Sequence, residues 1–358
     1  MKVVKLDIKI DADRAIVWLD SNLYLLDQRV LPSVEQFIAL SNAQETANAI
    51  REMVVRGAPA IGVTAAFGVV LAARETYAKH SSNWKLQIQP LLKLLAESRP
   101  TAVNLFWAIN KMEMLIDQLD DTDPAFALTE LALQIHQDDI VANKKMGEFG
   151  ASLIDDKCDV ITHCNAGALA TGGYGTALGV IRSAYAQDKI AQVYADETRP
   201  WLQGSRLTAW ELSRDAIPVT LLADGAAASL MASGNIGWII VGSDRIAGNG
   251  DVANKIGTFH LILAAKYHGI KVMVAAPTST IDASLVSGND IPIEERDSEE
   301  LLSCGGKRIA AKGVKAWNPV FDVTPAKLID VIVTEKGIIH QPNAEKIKLH
   351  LSESLKTS

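Results

Sequence analysis

Two side chains stand where acid–base chemistry is easiest to build. Cys164 lies in His163-Cys164-Asn165, directly after the apolar run Val160-Ile161-Thr162 and before a glycine-rich stretch, 165–179. If a helix begins there, its amide ends favour a thiolate, the proton-accepting form of cysteine. The competing reading is a buried structural cysteine, and spacing alone does not decide between them. Asp244 follows the apolar run Trp238-Ile239-Ile240-Val241-Gly242. A carboxyl group desolvated at the mouth of such a strand tends to hold its proton, which suits a proton donor. Its alternatives are a helix N-cap or a salt bridge with Arg245. By strand alternation His163 falls on the opposite face from Cys164, which fits a satisfied core residue better than a general base.

Other positions suit an anion. Gly248-Asn249-Gly250-Asp251 is a turn-forming sequence that would set Asn254 and Lys255 at the start of a helix, where a phosphate is well placed. Arg56-Gly57-Ala58-Pro59 reads as a loop ending in a proline at the first turn of the next helix, so Arg56 could join exposed amides around an anion. Ser98-Arg99-Pro100-Thr101 is a similar loop. For each arginine alone, a surface charge is the simpler reading.

The elements that must position these residues follow from periodicity. Val3 to Ile10 alternates, and Ile16-Val17-Trp18-Leu19 and Leu23-Tyr24-Leu25-Leu26 follow around a turn, which predicts a small antiparallel sheet. From Ser33 to about Met114 the pattern is helical, with helices expected over 43–55, 60–78, 84–97 and 102–119. The polar stretch 120–124 is a break, and a long helix over about 124–154 follows. From residue 158, short apolar runs alternate with helix candidates at 172–187, 205–214, 226–232 and 256–268. That is the pattern of a parallel sheet with helices on both faces, in which ligands sit beyond the carboxyl ends of the strands. Those ends carry His163-Cys164-Asn165, Asp196-Glu197-Thr198-Arg199, Asp224-Gly225, Ser243-Asp244-Arg245 and Pro277-Thr278-Ser279. The expected organisation is an N-terminal domain over 1–122, a connecting helix over 123–155 and a catalytic domain over 156–358.

Composition bounds the function. The 358 residues are 48% apolar and 22% charged, ordinary globular usage that excludes disorder and fibre. Lys and Arg number 35 against 42 Asp and Glu, so the basic excess usual in a nucleic-acid binder is missing. Three cysteines, Cys158, Cys164 and Cys304, are too few for a disulfide scaffold, and reduced thiols in a cytoplasmic protein are expected. No export signal is read at the start of the chain. The uncharged run 160–181 is too polar and too broken by glycine for a membrane span. The shorter run 57–73 reads as a loop leading into a buried helix.

Two rival chemistries have partial signatures in the sequence. Gly173-Tyr174-Gly175-Thr176-Ala177-Leu178-Gly179, with Asp196 about 20 residues on, has the outline of a dinucleotide site. Its last glycine is one residue late, and Gly173 lies nine positions beyond Cys164 rather than in the tight first turn. Metal sites find little support, because no two histidines stand three to five residues apart and there is no Cys-x-x-Cys.

The combination of Arg56-Gly57-Ala58-Pro59-Ala60-Ile61-Gly62, His163-Cys164-Asn165-Ala166-Gly167, Asp196-Glu197-Thr198-Arg199-Pro200 and Gly242-Ser243-Asp244-Arg245-Ile246 resembles the methylthioribose-1-phosphate isomerases. Trp201-Leu202-Gln203-Gly204-Ser205-Arg206-Leu207-Thr208, 249–258 and Trp317-Asn318-Pro319-Val320-Phe321-Asp322 extend the likeness over nearly the whole chain. Ser243 and Gly248 stand where that family often has alanine. The resemblance implies an α/β protein with a Rossmann-like parallel sheet in its C-terminal domain and a smaller N-terminal domain of mixed sheet and helices. It implies an aldose–ketose isomerase of methionine salvage, a homodimer that acts on a small phosphorylated sugar without metal, nucleotide, nucleic acid or membrane. It further implies Asp244 as proton donor and Cys164 at the reacting carbons, with substrate contacts from Arg56, Gly57, Ala58, Arg99, Gln203, Asn254 and Lys255. Related folds serve isomerases of other 1-phosphorylated pentoses and non-catalytic regulatory subunits of a translation initiation factor.

Overall fold

Hydrophobic alternation at the start of the chain builds a four-stranded antiparallel sheet from β1 (Lys2–Val4), β2 (Ile16–Leu19), β3 (Asn22–Leu26) and β4 (Phe37–Leu40), in the order β1-β4-β3-β2. The structure is a computed structural model and describes residues 1–100 and 102–353. Thr101, the last residue of the loop that carries Arg99, and 354–358, the tail of the expected catalytic domain, lie outside the described residues. The chain divides into two compact units, Met1–Lys144 with Gly167–Gly175, and Lys145–Ala166 with the chain from Thr176 onward.

In the first unit, β4 occupies a stretch expected to be helical. Its four residues are apolar without interruption, and such a short run carries no period that separates strand from helix. Helices α1 (Ala43–Arg51) and α2 (Ala58–His80) follow. The single helix expected over 84–97 is two, α3 (Trp84–Gln87) and α4 (Gln89–Ala96). Pro90 stands in the first turn of α4, where its missing N–H suits the start of a new helix rather than the continuation of the old one. Then come α5 (Val103–Gln118) and the long α6 (Ala125–Ser152). Although α2 is long and apolar enough to cross a membrane, most of it is buried in this unit's core. Its Phe67 is fully buried and stacks on Trp18, with ring centroids 5.1 Å apart. The starts of α2 and α5 are drawn together at Gly62, where an added Cβ would fall 2.8 Å from the Asn104 carbonyl oxygen. Residues 167–175 are strapped down here as well. Gln28 Nε2 donates to the Leu169 carbonyl at 2.7 Å, Asn143 Nδ2 to that of Gly173 at 2.9 Å, and Asp13 accepts from the Tyr174 amide at 2.7 Å.

The second unit is built on a seven-stranded sheet: β5 (Cys158–Thr162), β6 (Ile190–Asp196), β7 (Val219–Leu222), β8 (Ile236–Val241), β11 (Lys271–Ala275), β16 (Val331–Thr334) and β17 (Gly337–His340). The order is β17-β16-β11-β8-β5-β6-β7, parallel throughout except for β17. Alternation along the strands fills both faces. Val160, Ile240, Met273 and Val331 pack with α7 (Ala177–Ala186) on one side. Ile161, Ile239, Val241, Val272, Val274 and Ile332 pack on the other with α9 (Ala227–Met231), α10 (Thr258–Tyr267) and α12 (Ala344–Glu353). Such two-sided burial explains the near-continuous apolar strands. The short α8 (Ala209–Arg214) precedes β7. A second sheet, β12-β9-β10-β15, was not anticipated: β9 (Arg245–Ala247), β10 (Val252–Lys255), β12 (Ile281–Asp282) and β15 (Phe321–Thr324) are only two to four residues long and partly polar. A short helix α11 (Glu299–Leu302) and the hairpin β13 (Ser303–Cys304) and β14 (Lys307–Arg308) complete the elements.

Because Phe67 combines full burial with ring stacking, Phe67→Ala should destabilise the protein by about 3–5 kcal/mol. Denaturant unfolding measures this, and a loss below about 1 kcal/mol would show that the site repacks.

Candidate active site

The strand order reverses at β5. Sequence-consecutive β5, β6 and β7 run to one side, and β8, β11 and β16 run to the other. In open α/β sheets this switch point opens the crevice that takes ligands. Cys164 leaves β5 two residues past its end, and Asp244 leaves the neighbouring β8 three residues past its end. The expected thiol and acid therefore rise from adjacent strands at the carboxyl edge of one sheet.

Cys164 is not at a helix N-terminus, because the first α-helix after it in this unit begins at Ala177. It is buried, and its backbone is left-handed at φ +62°. Few non-glycine residues adopt this conformation. Its N–H donates to Thr198 Oγ1 at 2.9 Å, and its carbonyl accepts from Thr208 Oγ1 at 2.6 Å. Thr198, itself at φ +63°, donates its hydroxyl to the Asp196 carbonyl at 3.0 Å. The amides of Thr198 and Arg199 donate to the two oxygens of Asp224 at 2.7 and 2.8 Å. Asn165 is pinned to Thr208 and to Glu211, whose other oxygen meets Arg182 at 3.0 Å. The thiol thus sits on a turn over-determined by its neighbours, with Thr198, Thr208, Asp224 and Glu211 as supports for which sequence reasoning assigned no role. The signal was there in part, since Asp196 to Arg199 and Asp224 both end strands.

Asp244 is half-buried, and its amide donates to the Ala253 carbonyl at 3.0 Å. Arg245 pairs instead with Asp282, 3.7 Å away. Asn254 and Lys255 are not at a helix start but in β10, three residues before α10. Both are buried. Asn254 Nδ2 donates to Thr258 Oγ1 at 3.0 Å, and Lys255 Nζ lies 4.6 Å from the centre of the Phe321 ring. A buried ammonium against an aromatic face is desolvated, which strengthens its pull on an anion. Gln203 caps a π-helical turn, Gly204–Thr208, and is 3% exposed, with Oε1 lacking a hydrogen-bond partner among the described residues. An orphaned buried carbonyl is costly, and a ligand hydroxyl would satisfy it.

Arg56, Gly57, Ala58 and Arg99 belong to the first unit. Gly57 caps α2 at φ +91°, and a Cβ there would fall 2.4 Å from the Ala170 carbonyl oxygen, so glycine is required. Ala58 opens α2, and Arg56 and Arg99 are half-buried in the loops that enter α2 and α5. The expected arginines and helix-end amides therefore sit at neighbouring helix starts.

Gly173 and Gly175 of the dinucleotide outline lie in the segment held within the first unit rather than in a strand-to-helix turn, which removes that reading. His163, Asp196 and Asp224 place one potential metal donor atom each within 4.8 Å of the others. His163 Nδ1 meets Asp196 Oδ2 and Asp224 accepts two amides, while Asp196 Oδ1 is buried without a hydrogen-bond partner among the described residues.

The doubly wound sheet defines an α/β fold that carries a thiol and a carboxyl at its switch point. The initiation factor 2 subunit family model matches residues 54–341. Methylthioribose-1-phosphate isomerase of Thioalkalivibrio sulfidiphilus is 58% identical over 95% of this chain and 97% of its own. Among solved structures, 5-methylthioribose 1-phosphate isomerase from Pyrococcus horikoshii OT3 matches at TM-score 0.89 and 43% identity, covering 96% of this chain and 97% of that one. The translation initiation factor eIF-2B subunit delta from A. fulgidus matches at TM-score 0.83 and 43% identity, covering 93% and 98%. The chain belongs to the initiation factor 2 subunit family, and within it to the methylthioribose-1-phosphate isomerases.

Gly204 is where the turn and the Asp196 loop meet, since an added Cβ would fall 1.6 Å from the Asp196 carbonyl oxygen. Gly204→Ala should lower stability by about 3 kcal/mol, the upper end for overpacking, and disorder the Cys164 turn with it. An unchanged melting temperature would show that the two loops separate freely.

Proposed function

We propose that this chain interconverts 5-methylthioribose 1-phosphate and 5-methylthioribulose 1-phosphate, with Asp244 as proton donor and Cys164 at the reacting carbons. The observation that carries the reading is the pairing of a thiol and an acid at the switch point of a chain 58% identical to a relative named for this activity. The substrate poses a definite problem. Its C1 oxygen is phosphorylated, so the ring opens only if an acid protonates the ring oxygen as the C1–O4 bond breaks. Asp244 supplies that proton in this reading. A Cys164 thiolate then takes the C2 proton, giving an enol, and the thiol so formed, whose proton exchanges with solvent, protonates C1. The C2 hydroxyl proton goes back to the Asp244 carboxylate, so protons and charge balance and no redox cofactor is needed. The alternative route moves hydride directly from C2 to C1, with Cys164 steadying the cationic carbon.

Lys255 holds the phosphate in this proposal, and the unsatisfied Gln203 Oε1 accepts from a sugar hydroxyl. Asn254 orients the same end of the ligand. Arg56, Gly57, Ala58 and Arg99 are assigned phosphate contacts through their guanidiniums and the amides at a helix start. The proposal extends to a cytoplasmic homodimer, which light scattering and cell fractionation check. The A. fulgidus neighbour, a translation initiation factor subunit by name, raises a non-catalytic reading. Retention of Cys164 and Asp244 in this chain favours the enzyme.

Asp244→Asn should abolish turnover of methylthioribose 1-phosphate while binding persists, as read by calorimetry. Cys164→Ser should lower kcat by roughly 100- to 10,000-fold, the range for one acid–base group. Near-normal rates in either variant would remove that residue from the chemistry. Turnover in deuterated water separates the routes: solvent deuterium at C1 of the product supports the enol, and its absence supports hydride transfer.

A further inference from the structure

His163 precedes the thiol and is fully enclosed, yet both of its ring nitrogens face acceptors. Nδ1 is 2.9 Å from Asp196 Oδ2, and Nε2 is 2.9 Å from the backbone oxygen of Ile256. A neutral imidazole has a single N–H, and a carboxylate has none. A neutral ring beside an ionised Asp196 would satisfy one contact and set lone pair against lone pair in the other. Both contacts are made only if the unit holds two protons, either as imidazolium with carboxylate or as imidazole with carboxylic acid. In each form the unit is neutral overall, which burial favours.

The surroundings agree. Burial works against a charged His163, but the Asp196 hydrogen bond and charge, the Ile256 carbonyl and Asp224 outweigh it, and the ring holds its proton above the usual histidine range. Asp196 is pushed up by burial against the pull of His163, with Asp224 adding to the rise and His260 opposing it. Asp322, the remaining acid that senses the ring, is also raised by burial while it accepts the Gly257 and Phe259 amides. Both members of the pair therefore move toward keeping the proton.

We propose that the doubly protonated His163–Asp196 unit is a positioning pair for the isomerisation, clamping the Cys164 turn to the strand end that carries Asn254 and Lys255. The proposal rests on the isomerase reading above. Geometry supplies the clamp. His163 is covalently next to Cys164, Ile256 is next to Lys255, and Asp196 roots the loop whose Thr198 accepts from the Cys164 amide. Gly257 packs on the ring, where an added Cβ would come 3.0 Å from His163 Cε1. Neither His163 nor Asp196 is assigned to touch substrate.

The sign of the pH dependence follows. When pH rises through the unit's upper apparent pKa, the proton shared between Nδ1 and Oδ2 leaves, the contact turns repulsive and the clamp loosens. Activity attributable to the clamp is present below that pKa and lost above it. In Asp196→Asn the amide donates to a neutral Nδ1 while Nε2–H keeps Ile256, so both contacts survive without a titrating proton. Its kcat at neutral pH should stay within about tenfold of wild type, whereas His163→Phe, which loses both contacts, should drop about 100-fold or more in kcat/KM.

The experiment compares pH–rate profiles of wild type, Asp196→Asn and His163→Phe, alongside nitrogen-15 NMR of histidine-labelled wild type with the His163 signal assigned from the Phe variant. The expected result is a wild-type alkaline limb that Asp196→Asn abolishes, and a His163 ring that does not titrate until alkaline pH. An unchanged limb in Asp196→Asn, or a ring titrating near the ordinary ~6.5, overturns the proposal. If Asp196→Asn does not fold, the wild-type NMR titration decides alone. A wild type with no turnover of methylthioribose 1-phosphate would defeat the isomerase reading, while the NMR result would still stand or fall by itself.

Discussion

The second unit turns on one backbone constraint, the left-handed Cys164 two residues past the end of β5. A side-chain-bearing residue held there costs on the order of 1–3 kcal/mol. Two hydrogen bonds on its own peptide groups, from Thr208 and to Thr198, offset this at about 0.5–1.5 kcal/mol each. Thr198 is left-handed too and is in turn fixed by Asp224. The strain is therefore not relieved at Cys164 but handed from one strand end to the next, until it reaches a carboxylate that accepts two amides. What this gains is direction: the thiol leaves the strand alternation and is aimed by the loops instead of by the pleat.

The same rim concentrates polar groups that burial penalises. Lys255 is nearly inaccessible beside Phe321, Glu211 is fully buried against Arg182, and Gln203 keeps a carbonyl without a partner among the described residues. Glu211 is satisfied within the protein and serves support. Gln203 Oε1 is not satisfied among the described residues, whereas Lys255 is a buried charge set against an aromatic face. Preorganised charge of this kind acts more strongly than its count suggests, because little water competes with it.

The alternating apolar runs after residue 158 were legible as a parallel sheet, because strands buried on both faces leave no polar residues to blur them. Legibility ended where side chains and backbone trade roles. The strand β10 reads as a polar turn leading into a helix, since Asn254 and Lys255 look solvent-bound until their burial is seen. A helix after Cys164 was the natural reading of a glycine-rich tract, yet residues 167–175 are claimed by Gln28, Asn143 and Asp13 from far earlier in the chain. No local pattern encodes such long-range straps. His163 is the sharpest case. Alternation correctly put it in the interior, but a core histidine and a doubly bonded one share the same spacing, and only the positions of Asp196 and Ile256 distinguish them.

A fold shared with a neighbour titled as a translation initiation factor subunit also needs a physical account, since scaffold does not dictate chemistry. Most of these supports hold main-chain atoms: the Cys164 amide and carbonyl, the Thr198 and Arg199 amides, the Ile256 carbonyl; Glu211 instead holds the Asn165 side chain. These bonds fix the turn at the switch point through its main chain. Scaffold and the side chains it presents, Cys164 and Asp244 among them, therefore answer to different constraints.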